Sequence, residues 1–150
     1  MGNSLILAAE IAKPFEGLRL QPYHDPVGYP TVGYGHLLSR VPWEDLSKYR
    51  DRTPEEAEAE LQEDMQSALS SVRRLITYPL SDSQEAALVD FAFNCGGGNL
   101  QVSTLRRVIN RGDLEDAPAQ FMRWVFARGV KLPGLVRRRA AEVQMWNGIA

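Results

Sequence analysis

The run from Thr53 to Pro79 constrains the fold more than any other part of the chain. Ala57, Leu61, Asp64/Met65, Ala68, Val72 and Ile76 recur there at helical spacing, which puts them on one face of a single helix. Its start has a mechanism: Thr53 serves as N-cap, Pro54 takes the first helical position, and Glu56 is spaced to close a capping box. The pattern predicts about six turns, roughly 35 Å of helix, before Pro79 stops it. A rod of that length in a chain of 150 residues fits best as the link between a small N-terminal lobe and a helical C-terminal one.

The segments on either side differ in period. Residues 1–16 read as a helix with Leu5, Ala8, Ala9, Ala12 and Phe15 on one face, which Pro14 kinks or ends. From Leu18 to His36 the chain is rich in Gly, Tyr, Thr and Val, and Leu18 and Leu20 alternate with Arg19 and Gln21, as in short strands. Asp25-Pro26-Val27-Gly28 has the residues of a type I turn and predicts a hairpin. Beyond Pro79, Ser81 with Gln84 opens a helix that buries Ala87, Leu88, Phe91 and Ala92 until Gly96-Gly97-Gly98 stops it. Ser103 caps a helix ending at Gly112, another follows Asp113, and a last one after Pro133-Gly134 carries Val136, Ala140, Val143 and Met145/Trp146. The expected class is therefore α+β, mostly helical, with a small N-terminal β-sheet. Its single domain divides into an N-terminal lobe of about 14–60 and a helical lobe of about 80–150 that also takes in the first helix.

Composition removes several classes of function. One cysteine, Cys95, forms no intrachain disulfide, and with only two histidines beside it the usual nitrogen and sulfur zinc sites cannot be built. The apolar stretch Leu5 to Ala9 is broken by Glu10 and preceded by no basic residue, so it predicts neither a membrane span nor a secretory signal. Charge is split: residues 101–150 hold nine Lys/Arg against four Asp/Glu, and residues 1–100 hold eight against fifteen. The basic half suits a polyanion, or is simply a solvated helix surface.

Two places bear on chemistry. Asp64 falls on the apolar stripe of the long helix, where a carboxylate either pairs, with His36 the natural partner, or reaches the rim. Glu16 and Asp25 flank a strand, with the hydroxyl of Thr31 six residues on. Two carboxylates so placed can straddle a glycosidic bond as acid and base, though each residue type also suits its local role, Glu16 before Gly17 and Asp25 as a turn starter. A Glu in the last turn of a helix lies against the negative end of the dipole, a position that suits a general acid.

The spacing Glu16, eight residues, Asp25, five residues, Thr31, followed by Val32-Gly33-Tyr34-Gly35-His36, resembles the phage lysozymes of glycoside hydrolase family 24. The likeness continues through Thr53 to Asp64, the segment QEAALVDFAFNCG, Ser103 to Leu105, and GLVRRRAAE at Gly134 to Glu142, and covers nearly the whole chain. It implies the two-lobed lysozyme fold and hydrolysis, without a cofactor or metal, of the β-1,4 bond between N-acetylmuramic acid and N-acetylglucosamine in peptidoglycan. Under that resemblance Glu16 protonates the leaving oxygen. Asp25 activates water or stabilises the developing positive charge on the sugar, and Thr31 holds the water. Leu37, Phe93 and Thr104 would touch the glycan, and one of Arg137 to Arg139, with Arg138 the candidate, would meet Glu16 while the others face the acidic wall.

A monomer kept in the host cytoplasm until a separate pore-forming phage protein releases it to the periplasm completes the expectation. Two rivals are a lytic transglycosylase, which cuts the same bond without water and so needs no Asp25 and Thr31 pair, and a basic nucleic-acid module, which lacks interleaved exposed aromatics. If Thr31 orients an attacking water, the reaction inverts and the carboxyl groups stand roughly 6.5 to 9.5 Å apart.

Overall fold

The computed structural model describes residues 2–149, which form seven helices and two small antiparallel sheets. Helix α1 spans Asn3–Glu16, and strands β1 Arg19–His24, β2 Pro30–Gly33 and β3 His36–Leu37 form a sheet in that order. After a short 3-10 turn at Leu46–Lys48 come α2 Pro54–Leu75, α3 Asp82–Cys95, α4 Gly97–Val102, α5 Thr104–Asn110 and α6 Ala117–Phe121, the last preceded by a 3-10 turn at Leu114–Asp116. A two-stranded ribbon, β4 Phe126–Ala127 with β5 Val130–Lys131, precedes α7 Pro133–Trp146. The mostly helical α+β class expected from the sequence is the class observed.

Local chemistry explains most boundaries. The Thr53 N–H donates to Glu56 Oε1 at 3.0 Å and the Glu56 N–H to Thr53 Oγ1 at 3.1 Å, a closed capping box at the start of α2. Ser81 and Gln84 build the same device at α3, and the Ser103 side chain caps α5 by accepting from the Arg106 N–H at 3.0 Å. Pro14 does not end α1, which continues to Glu16 and stops where Gly17 turns left-handed at φ 67°. The Gly28 N–H closes on the Asp25 carbonyl at 2.8 Å, the bond of the expected turn.

The chain divides into two compact units, one of residues 13–64 and one of residues 1–12 with 65–150. The first holds the three-stranded sheet. Its small core is Val32, Ala57 and Leu61, and β2 comes so close to α2 that a Cβ on Gly33 would lie 3.3 Å from that of Ala57. The second packs α3 against α7 and gathers Phe91, Phe121, Trp124 and Trp146, with Phe91 edge-on to both Phe121 and Trp124 at ring separations of 5.8 and 5.5 Å.

Four expectations need correction. Gly97 and Gly98 do not merely stop α3, because they open α4. Phe15 is 36% exposed and stands off the buried face of α1, which is completed by Ser4 and Ile11 instead. The face of α7 that packs inward is not the apolar one: Ala140 is exposed and Val136 and Val143 are half-buried, whereas Arg138, Arg139 and Glu142 are buried with Met145 and Trp146. Arg139, fully buried, is therefore not available to meet a cell wall. It donates to Glu142 at 2.9 Å and Asn94 at 2.8 Å, while Arg138 grips Asp90 with two bonds of 3.0 and 2.7 Å. The pairing is why the burial is tolerated: the Asp90 carboxylate offsets the lost hydration of Arg138, and Asn94 and Glu142 accept from Arg139. Cys95 lies in this layer, and burial pushes its thiol up to about 11.

Candidate active site

The site is built on the turns of the strand unit. Asp25 directly follows β1 at the start of the hairpin turn, and its Oδ1 accepts the Val27 N–H at 3.0 Å and the Tyr29 N–H at 2.8 Å. Those two bonds fix the carboxylate through Oδ1 and make no use of Oδ2. Tyr29 also joins Asp25 to Thr31, because its carbonyl accepts both the Asp25 N–H at 3.0 Å and the Thr31 hydroxyl at 2.8 Å. Thr31 is only 5% exposed, and with its hydroxyl hydrogen given to the Tyr29 carbonyl its oxygen can only accept from any other group.

Glu16 arrives from the end of α1. Its carboxyl group rests on the backbone of Gly35, close enough that a Cβ there would come within 2.4 Å of Oε1. Gly35 also has φ 68°, in the left-handed region, so both its conformation and its closeness to Glu16 demand glycine. Tyr23, on β1, senses both carboxylates: burial first, then the charge of Glu16, with a smaller part from Asp25, raises its phenol above the ordinary value. Arg19 stacks over the same ring at 4.3 Å.

His36 and Asp64 meet, with Nδ1 2.7 Å from Oδ2. The Nε2 of the same ring lies 3.3 Å from Glu60, which is held at 2.9 Å by Arg52. The hydrogen bond to Asp64 raises His36 above 6.5 and its charge adds to the effect, while burial opposes it. The cluster ties β3 to α2 within the strand unit.

The other expected contacts are spread over both units. Leu37 is on β3, paired across the sheet with Thr31, and is 36% exposed. Phe93 is half-buried on α3 with the Arg138 guanidinium over its ring at 5.8 Å, and Thr104 begins α5, where its hydroxyl accepts from Arg107 at 2.8 Å. Sequence reasoning passed over Gly35, Tyr29 and Glu60. Glu60 had a signal, since it precedes Asp64 by one helical turn; the roles of Gly35 and Tyr29 depend on contacts between segments that no local pattern encodes. Among the described residues no group of His, Cys, Asp and Glu is arranged to hold a metal ion.

The sequence model of the phage lysozyme family matches residues 13–142. The chain is 36% identical over 134 residues to a SAR-endolysin of Bacteriophage PS119, covering 88% of this chain and 77% of that protein. Among solved structures it is similar to the muramidase domain of SpmX from Asticaccaulis excentricus, with a TM-score of 0.79, 33% identity and 93% of each chain covered. It is also similar to the endolysin from Escherichia coli O157:H7 phage FAHEc1, with a TM-score of 0.79, 28% identity, and 97% and 91% of the two chains covered.

Proposed function

This chain belongs to the phage lysozyme family and is an enzyme that cleaves peptidoglycan, and from that premise we propose that it hydrolyses the β-1,4 bond between N-acetylmuramic acid and N-acetylglucosamine by direct attack of water. Glu16 is the general acid for the leaving oxygen, and Asp25 with Thr31 holds the nucleophile. The observation that carries this reading is the shared Tyr29 carbonyl, which accepts from both Asp25 and Thr31 at 3.0 and 2.8 Å. An attacking water must aim a lone pair at the anomeric carbon, so both its hydrogens need acceptors. Asp25 Oδ2 and the Thr31 hydroxyl oxygen are two such acceptors anchored on one backbone group.

A lytic transglycosylase has no use for that pair, because its nucleophile is a hydroxyl of the sugar itself. On this reading the reaction inverts, and the Glu16 and Asp25 carboxyl groups are held roughly 6.5 to 9.5 Å apart to admit the water. Leu37, Phe93 and Thr104 are sugar contacts. The chain acts as one catalytic domain and as a monomer, without a cofactor, waiting in the host cytoplasm until a separate pore-forming phage protein opens the way to the wall. Among the described residues no helix is long and apolar enough to cross a membrane.

Digestion of purified peptidoglycan tests the reading. Fragment masses should carry reducing ends and no anhydro sugar, proton NMR should detect the α-anomer first, and folded Glu16→Gln should lose about a hundredfold or more of the rate. Anhydro products, or an active Glu16→Gln enzyme, would overturn it.

A further inference from the structure

The loop that follows β3 carries Trp43, at 65% exposure the most exposed aromatic ring among the described residues. A free tryptophan on a loop is costly to leave in water and mobile; this one is exposed and fixed. Its backbone is left-handed, φ 60°, a conformation that strains a bulky residue. Its N–H donates to the Gly28 carbonyl at 2.8 Å. The indole is pressed on Gly28, where a Cβ would lie 2.6 Å from the ring, and leans on His24 with the ring centres 5.2 Å apart. His24 is itself held, with Nε2 2.7 Å from the Glu44 carbonyl.

Gly28 closes the turn that presents Asp25, its N–H on the Asp25 carbonyl at 2.8 Å. Trp43 is thus mounted, two hydrogen bonds away, on the same turn as one of the proposed catalytic carboxylates. Strain retained in order to display an apolar face beside such a group points to a ligand that uses that face.

We propose that Trp43 is a stacking platform for an N-acetylhexosamine ring of the glycan strand, one that extends the substrate site past Asp25. The inference rests on the peptidoglycan reading above. A pyranose offers a flat face of C–H groups to an indole and loses little when the indole is already immobile. Charge selects among occupants. Glu44 and Asp45 follow Trp43 directly and offset Arg40 and Lys48 of the same loop, the latter 3.2 Å from Glu44, so no net positive charge is there to draw nucleic acid or anionic lipid, while an uncharged sugar needs none.

Trp43→Gly removes the ring and relaxes the left-handed backbone, while Trp43→Phe keeps an aromatic face. On solubilised peptidoglycan, Trp43→Gly should raise the half-saturating concentration about three- to tenfold with kcat unchanged, and Trp43→Phe should recover most of the loss. Chitotetraose should shift the emission of the wild-type protein, and the shift should be absent from Trp43→Phe. An unchanged half-saturating concentration in a folded Trp43→Gly protein overturns the platform, as does emission that responds to phosphatidylethanolamine and phosphatidylglycerol vesicles but not to chitotetraose. If the wild-type protein leaves peptidoglycan uncut, the catalytic reading fails, and the chitotetraose shift and its loss in Trp43→Phe decide the platform alone.

Discussion

Asp25 and Asp90 are the same side chain put to opposite uses in the two units. Asp25 spends one oxygen on two backbone N–H groups of its own turn, at 3.0 and 2.8 Å, and these bonds leave the other unused. Asp90, fully buried on α3, gives both oxygens to Arg138 from α7. The first carboxylate is positioned by local backbone and left able to act; the second is consumed by a long-range ion pair and holds two helices together. Burial of a carboxylate is thus no sign of chemistry here, and partial exposure is no sign of idleness.

The sharpest way to break that contrast is to exchange the expected phenotypes. Asp90→Ala removes the bidentate partner of a buried guanidinium and should cost about 3 to 5 kcal/mol of stability, read by urea unfolding. The activity of the molecules that remain folded should be preserved. If Asp90→Ala unfolds at the wild-type urea concentration, the buried layer is not what holds α3 to α7.

Asp25→Asn should do the reverse. Its amide oxygen still accepts the Val27 and Tyr29 N–H groups, so the turn survives and the melting temperature should stay near wild type. The lost negative charge should lower kcat about a hundredfold. A variant that melts early and cleaves normally would make Asp25 a structural residue like Asp90.

The two units also differ in how readable they are from sequence. The caps of α2, α3 and α5 were legible because Thr53 with Glu56, Ser81 with Gln84, and Ser103 satisfy the helix ends with neighbours three residues away. The Asp25 turn was legible for the same reason. The buried face of α7 was not, since a stripe of Val136, Ala140 and Val143 reads as core until Asp90, 48 residues from Arg138, supplies the counter-charge. The β4–β5 ribbon escaped because its strands are two residues long, and its turn places Arg128 at φ 51°, where glycine or asparagine is the usual signal. Trp43 escaped because its rigidity is a property of Gly28 and His24, not of its own surroundings in the chain.

A smaller effect sharpens the account of how the strand unit positions its acid. Gly33 and Gly35 have the same left-handed φ of 68°, so alanine at either should cost about 1 to 2 kcal/mol through the backbone. Only at Gly35 does the added Cβ collide with Glu16, at 2.4 Å from Oε1; at Gly33 it meets Ala57 at 3.3 Å. Gly35→Ala should therefore lose roughly ten- to a hundredfold in kcat that Gly33→Ala does not. Equal losses in the two would mean that strain alone, and not the seat of Glu16, governs activity.

The smallest expected effect concerns the ionic cluster around His36, which resembles the buried layer in kind but not in depth. His36 is raised above 6.5, chiefly by its hydrogen bond to Asp64, with Glu60 adding and Arg52 and burial opposing. A histidine whose folded pKa exceeds its unfolded one stabilises fully below about 6.5 and loses that contribution as pH rises through the folded value. The wild-type protein should thus lose stability between pH 6 and 9. Glu142 contributes a loss of the same sign where its own raised carboxyl titrates, because burial and the neighbouring Asp90 keep it protonated in the folded state beyond the usual carboxylate range. The comparison with Asp64→Asn separates the two: that variant leaves Glu142 untouched, should bring the His36 ring back toward 6.5 in an NMR titration, and should narrow its stability gap to wild type as pH rises. A gap that stays constant from pH 6 to 9 would show that His36 and Asp64 hold β3 to α2 without a titrating charge. The strand unit would then be as indifferent to pH at this point as a neutral hydrogen bond.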